Sequence, residues 1–231
     1  MLMAILMSAL TSVKKHSKKL LCSNNLKQIG ISLHSYGSEN NSRLPLNPGT
    51  DWLWDIAYST TDYIIATGGN KYTFYCPFDP TKQPGMPHIW QFSQNVAPQT
   101  APGSVPEPQT GRDQHYRVTG YFWMMDTPAG KTFLPQGKPK KQWVTTLACA
   151  KASSTELVTD ATLSADPDPN HTTFTQVKGG LWNRWAIYDR TNHLIDADTP
   201  AGGNIVFVDG HLEWRPFDRM EARFWYPYHW W

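Results

Sequence analysis

At 231 residues with a net charge of +2, the chain is long enough for one sizeable core and too nearly neutral for a nucleic-acid partner, because its excess positive charge lies near the N-terminus and leaves no basic face elsewhere. Its 18 prolines, 16 glycines and 11 tryptophans argue against a helical bundle and fit turn-rich β structure with aromatic packing. No Gly/Ser linker separates folded-looking stretches, so one globular body is expected behind the N-terminal segment.

The chain opens on an apolar block, Met1 to Val13, followed by Lys14, Lys15, Lys18 and Lys19, and no acidic residue precedes Glu39. At about 1.5 Å per residue the block reaches only about 20 Å, short of the roughly 30 Å of a hydrocarbon core. A signal peptide carries its charges before the apolar run, not after it. The block therefore reads as the remainder of a longer helix whose first residues are absent, the alternative being an interfacial anchor that begins at Met1. Beyond the lysines, Cys22, Leu26, Ile29, Leu33 and Tyr36 recur at spacings of four and three and draw one stripe along a helical face. The helix is expected to reach Tyr36, with Gly37 as its C-terminal cap and Pro45 beyond its end. This divides the chain into an N-terminal helical region, 1–41, and a β-rich head, 42–231.

Within the head, Asp51 to Ile56 predicts a short helix capped by Thr50 or Asp51, and Tyr72 to Cys76 a strand stopped by Pro77. From Lys82 to Arg112 the chain is rich in Pro, Gln, Thr and Gly, which predicts a loop-rich insertion at about 82–115. Strands are expected at Tyr116 to Met124, Gln142 to Leu147 and Thr155 to Thr159, the last ending at Asp160. The clearest local signal is Gly203 to Trp214, where two β-rich runs flank Asp209-Gly210, a pair suited to a two-residue type I′ hairpin turn. By alternation Asn204, Val206 and Val208 share one face and Ile205 and Phe207 the other, and one of these sets should meet the helical stripe. The fold class is α+β: a long N-terminal helix packed on an antiparallel β-sheet, with long loops.

Leu20-Leu21-Cys22-Ser23-Asn24-Asn25-Leu26-Lys27-Gln28-Ile29-Gly30, followed by Ser35-Tyr36 and Arg43-Leu44-Pro45, resembles the segment after the membrane helix in bacterial type IV pilin-like proteins and type II secretion pseudopilins. Phe74-Tyr75-Cys76-Pro77 with Asp79, His193, Gly202-Gly203-Asn204 and Phe207-Val208-Asp209-Gly210-His211 are similar to the pseudopilin group with a C-terminal histidine and Asp-Gly turn. The resemblance implies a pilin-like fold and a prepilin that is cleaved and methylated, held in the inner membrane with an extracytoplasmic head, and then polymerised by secretion or pilus assembly machinery. Its partners would be other pilin-like subunits, in a periplasmic pseudopilus or a cell-surface filament. Leu2, Ile5, Leu6, Ala9, Leu10 and Val13 would pack in the fibre core or membrane, while Leu26, Ile29 and Leu33 hold the head to the helix. The family's leader, mature phenylalanine and early glutamate have no counterpart in this sequence.

In an extracytoplasmic head Cys22 and Cys76 could form a disulfide, as could Cys76 and Cys149, against the alternative of buried free thiols. No Cys pair has CxxC spacing, so no structural zinc site is expected. Asp196 and Asp198 form a candidate calcium loop, comparable in position to one in major pseudopilins, and Asp166 with Asp168 a second; each competes with a plain solvated turn. His193, Asp209, His211 and Asp160 suggest a metal-hydrolase set, but Asp209 belongs to the turn and His211 starts a strand. With no GxSxG, P-loop or HExxH motif either, no enzyme activity and no required cofactor are expected. The aromatic C-terminus supplies the rival function, a secreted or surface carbohydrate-binding module using Trp225, Trp230 and Trp231.

Overall fold

The computed structural model describes residues 2–47, 52–90, 116–125, 143–224 and 227–231, and its first element, α1, runs Leu2–Glu39. At 1.5 Å per residue α1 is about 57 Å long. It ends where Asn41 and Ser42 turn left-handed, at φ 55° and 62°. The Ser42 backbone N–H donates to the Gly37 carbonyl at 2.7 Å, and Asn40 Nδ2 donates to that of Tyr36 at 2.8 Å, so the last carbonyls are satisfied. Gly37, predicted as the cap, instead lies inside the helix. A Cβ there would collide with Leu147 Cδ1, so the glycine lets the head close over the end of α1.

The sequence predicts one antiparallel sheet, and the structure corrects this: among the described residues nine short strands form three separate antiparallel sheets, accompanied by three short helices. The first sheet pairs β1 (Asp55–Ala57) with β2 (Tyr116–Val118). The second has the order β3-β4-β6-β7, from β3 (Tyr121–Trp123), β4 (Glu156–Asp160), β6 (Gly202–Phe207) and β7 (Leu212–Pro216). The third has the order β5-β9-β8, from β5 (Leu163–Ser164), β8 (Ala222–Phe224) and β9 (Tyr228–Trp230). The helices are α2 (Tyr58–Ala66), α3 (Pro87–Trp90) and α4 (Gly180–Trp185). The division has a local cause. Between β2 and β3 the chain changes sheets at Thr119-Gly120, where the Gly120 N–H donates to the Phe74 carbonyl at 2.9 Å and a Cβ would stand 3.0 Å from the Cys76 nitrogen. A continuous strand over Tyr116 to Met124 cannot form through that crossing.

Other sequence expectations shift for similar reasons. Tyr72 to Cys76 is not a strand, because Asn70 caps a 3₁₀ turn at Lys71–Phe74 in a reciprocal capping box with Thr73. Ile56 lies in strand β1, where a helix was predicted, and Gln142 to Leu147 contributes only isolated bridges from Val144 and Thr146 among its described residues. Asp51 and most of the 82–115 insertion lie outside the described residues. The β6–β7 hairpin turns through Val208, Asp209 and Gly210: the Phe207 N–H donates to the His211 carbonyl at 3.0 Å and the Gly210 N–H to the Phe207 carbonyl at 2.9 Å. Only Gly210 has positive φ, at 87°, which makes it a three-residue turn with a glycine bulge in place of type I′. Val208 favours this form, because its N–H is drawn to the Thr155 carbonyl at 2.9 Å.

The four-stranded sheet receives α1. Leu26, Ile29 and Leu33 are fully buried, and a Cβ at Gly30 would stand 3.0 Å from Val206 Cγ1, so helix and β6 approach closely on the Val206 face. Lys82, predicted to open a surface loop, is fully buried; its Nζ donates to Asp189 Oδ1 at 2.7 Å and lies 4.7 Å from the Trp54 ring centroid. The C-terminus packs back as the third sheet, burying Trp230 and Trp231 at 5% and 0% exposure. Neither can present its ring to a sugar, and Trp225 lies outside the described residues.

His229, in β9, packs against Phe122 and Trp54 with ring centroids 4.7 and 5.8 Å away. Burial, with the Lys82 cation nearby, pushes its imidazole down to about 3 from the usual 6.5. Between those values the unfolded chain takes up a proton that the folded chain does not, so this residue's contribution to stability falls as pH falls from 6.5 towards 3. The expected slope is about 1.4 kcal/mol per pH unit at most. His229→Phe should flatten urea-unfolding stability against pH between about pH 4 and 6 by up to one proton equivalent. Identical slopes for the two proteins would show that His229 is not held neutral.

Candidate functional site

Two features of α1 stand apart from ordinary core packing. The first is its N-terminal part, which leaves the head bare: Leu6, Met7, Leu10 and Val13 are 58%, 67%, 64% and 61% exposed, and Ala9 is exposed beside them. The side chains of Leu2 and Ile5 lie outside the described ones. Contact with the head begins at the lysines. Lys15 Nζ donates to the Ile195 carbonyl at 3.4 Å, Lys18 lies 5.3 Å from the Phe78 ring, and Lys19 lies 3.4 Å over the Trp214 ring. Among the described residues no helix is long and apolar enough to cross a membrane.

The second feature is a buried cluster one turn further along. Cys22 comes from α1, Cys76 from the segment after the 3₁₀ turn, Asp160 from the end of β4 and His193 from the loop before β6. One ligating atom from each lies within 4.8 Å of all the others. Cys22 Sγ donates to Asp160 Oδ1 at 2.9 Å, His193 Nε2 lies 2.9 Å from Asp160 Oδ2, and Cys76 Sγ lies 3.6 Å from His193 Nε2. Asparagines fix the carboxylate from behind. Asn204 donates to Oδ2 from its backbone nitrogen at 2.8 Å and from Nδ2 at 2.7 Å, and Asn192 Nδ2 donates to Oδ1 at 3.2 Å. The His193 ring is held between Phe78 and Trp214, with centroids at 4.8 and 5.3 Å.

Burial makes this a strongly coupled electrostatic unit. Desolvation works against an imidazolium at His193, but the Asp160 carboxylate and Cys76 beside it together outweigh that and raise the group to about 10. Desolvation likewise works against the Asp160 carboxylate, and the His193 charge and hydrogen bonds from His193, Cys22 and Asn204 together outweigh it, holding the acid below its usual range. Burial pushes the Cys22 thiol well up. The imidazolium and carboxylate thus form a sealed ion pair flanked by two sulfurs.

The other predicted ligands do not gather. Asp198 Oδ1 accepts from the Phe174 backbone N–H at 2.6 Å and from the Thr175 hydroxyl at 3.0 Å, while Asp196 Oδ1 accepts from the backbone N–H groups of Asp198 and Thr199 at 3.1 and 3.0 Å. These carboxylates fasten loops. Asp168 serves Asn170 and His171 in the same way. Asp209 and His211 pair with each other at the hairpin tip, 2.6 Å apart, so neither joins His193 and Asp160. Cys149 lies 3.7 Å from the Thr155 hydroxyl, away from the other two cysteines, and all three are free thiols. Sequence spacing failed to reveal the four-residue cluster because its members span four separate elements, and the absence of CxxC excludes only sites built on one loop. No family model, curated protein or solved structure matches this chain.

The two parts of α1 should differ in energetic role. Leu26→Ala, fully buried under the head, is expected to lower the stability of the chain by about 2–5 kcal/mol. Leu10→Ala, 64% exposed, should change it by less than about 0.5 kcal/mol when measured by urea unfolding at high dilution. Equal losses would mean that the first turns of α1 also pack on the head.

Proposed function

We propose that this chain is a structural subunit that polymerises through the N-terminal part of α1, in a filament of the type IV pilus or type II secretion pseudopilus kind. One observation carries the reading: a single helix is clamped by the head along one half and projects beyond it along the other, with an apolar surface at Leu6, Met7, Leu10 and Val13. Full burial of each such side chain is worth roughly 1.5–3 kcal/mol, a large driving force for association when repeated in every copy. The occupant that fits is the same segment of neighbouring copies. Parallel helices of one sequence bury one another's apolar faces, and the collar of Lys14, Lys15, Lys18 and Lys19 marks where the helical core would give way to the heads.

The resemblance of Leu20 to Gly30 and of the Asp209-Gly210 hairpin region to pilin-like proteins supports the same reading. Residence at the inner membrane before assembly, with an extracytoplasmic head, belongs to this proposal. Its chemistry is mechanical: subunits add and hold by burial, with no reaction turned over. Leu6→Lys should abolish sedimentable polymer, since each helix would bring a charge into the apolar seam, while the head keeps its wild-type unfolding midpoint. Polymer of normal yield and length from that variant would refute the proposal.

A further inference from the structure

We propose that Cys22, Cys76, Asp160 and His193 form a structural site for a soft divalent cation of the zinc class, pinning α1 to the head. The donor set is the first argument. Two sulfurs, an imidazole nitrogen and a carboxylate oxygen are ligands that zinc accepts together, and they suit neither calcium nor magnesium, which require oxygen. Geometry is the second. A tetrahedral zinc with ordinary bond lengths needs its ligand atoms about 3.3–3.8 Å apart. Contacts within the cluster are 2.9 Å from Cys22 Sγ to Asp160 Oδ1, 2.9 Å from His193 Nε2 to Asp160 Oδ2 and 3.6 Å from Cys76 Sγ to His193 Nε2, and one ligand atom from each residue lies within 4.8 Å of the others. A cation would therefore need shifts of about 1 Å at most to draw the four into its shell.

The surroundings are those of a metal centre as well. Asp160 is oriented by three hydrogen bonds from Asn204 and Asn192, and His193 is fixed by Phe78 and Trp214, the kind of outer support that holds ligands in place. All four residues are at most 3% exposed and every coordination position is filled by protein, which makes the site structural, with no open place for a substrate. On binding, the two thiols and the imidazolium release their protons to solvent, and the cation takes up the resulting thiolates, neutral imidazole and carboxylate. Lys19, whose charge interacts with Asp160, offsets the net negative charge left at the centre. A disulfide between Cys22 and Cys76 would use the sulfurs alone and leave the His193–Asp160 pair sealed beside it; a cation uses all four groups.

The linkage is mechanical, because Cys22 is the one ligand on α1 while the other three belong to the head. The site stands or falls independently of what the projecting end of α1 contacts. To test it, the full chain is purified reduced and metal-free, then titrated with Co²⁺ and with Zn²⁺. One Co²⁺ per chain with tetrahedral thiolate absorption, displaced by Zn²⁺, is expected. Zinc should protect Cys22 and Cys76 from alkylation while Cys149 remains labelled. Cys22→Ser should lose the cobalt spectrum, and Asn204→Ala, which removes a side-chain hydrogen bond to Asp160, should weaken binding by about 10- to 100-fold. Cys149→Ser and Asp196→Asn should bind as the wild type does. Folded wild-type chain that takes up no stoichiometric Co²⁺ or Zn²⁺, a Cys22–Cys76 disulfide in protein isolated without reductant, or unchanged binding by Cys22→Ser would each overturn the proposal.

Discussion

Everything in this molecule depends on how α1 divides its surface. The head is cut into three small sheets, and the largest core cluster runs from the Cys22, Leu26, Ile29 and Leu33 stripe through Val206 into the aromatic interior. Short strands of this kind bury too little to stand alone. A rigid helix laid across the four-stranded sheet supplies its missing apolar face, and Gly30 and Gly37 let it approach β6 and Leu147 closely. The same rigidity carries the other end of the helix out past the lysine collar, so the clamp and the projection are consequences of one continuous element.

An ion pair is buried at the junction between those two halves. Cys22 is the first residue of the stripe and also the helix's contribution to the cluster with Cys76, Asp160 and His193. A buried ion pair is seldom a net source of stability, since desolvation offsets much of its attraction. Its value here is positional: Asp160 is tied to β6 through Asn204, to the loop before β6 through Asn192 and to α1 through Cys22. Any rotation of α1 about its axis breaks that arrangement. The register of the helix on the head is therefore specified by polar chemistry as well as by packing, and a bound cation would strengthen it.

The sequence made some of this legible. The spacing of Cys22, Leu26, Ile29 and Leu33 reports the buried face, because a helix keeps its period whatever it packs against. Val206 and Val208 likewise announce a strand, and Asp209-Gly210 a reversal. What local pattern could not report was how the strands divide into sheets. Tyr116 to Met124 looks continuous, and only the distant Phe74 carbonyl, meeting Gly120, shows why it breaks. Tyr72 to Phe74 has strand composition but is governed by the Asn70 cap. The same limit hid the candidate site. Asp160 and His193 were visible as chemistry-bearing residues, but Asp209 and His211, nearer to His193 in sequence than Asp160 is, turned out to satisfy each other at the hairpin tip.

The most direct test of the account is hydrogen exchange along α1, compared between dilute monomer and sedimented assembly. Amides of residues 22–36 should be strongly protected in both states, because the head covers that face. Those of residues 2–14 should exchange freely in the monomer and become protected only in the assembly. Protection of residues 2–14 in the dilute monomer, or their continued free exchange in the assembly, would contradict the division of α1 on which the account rests.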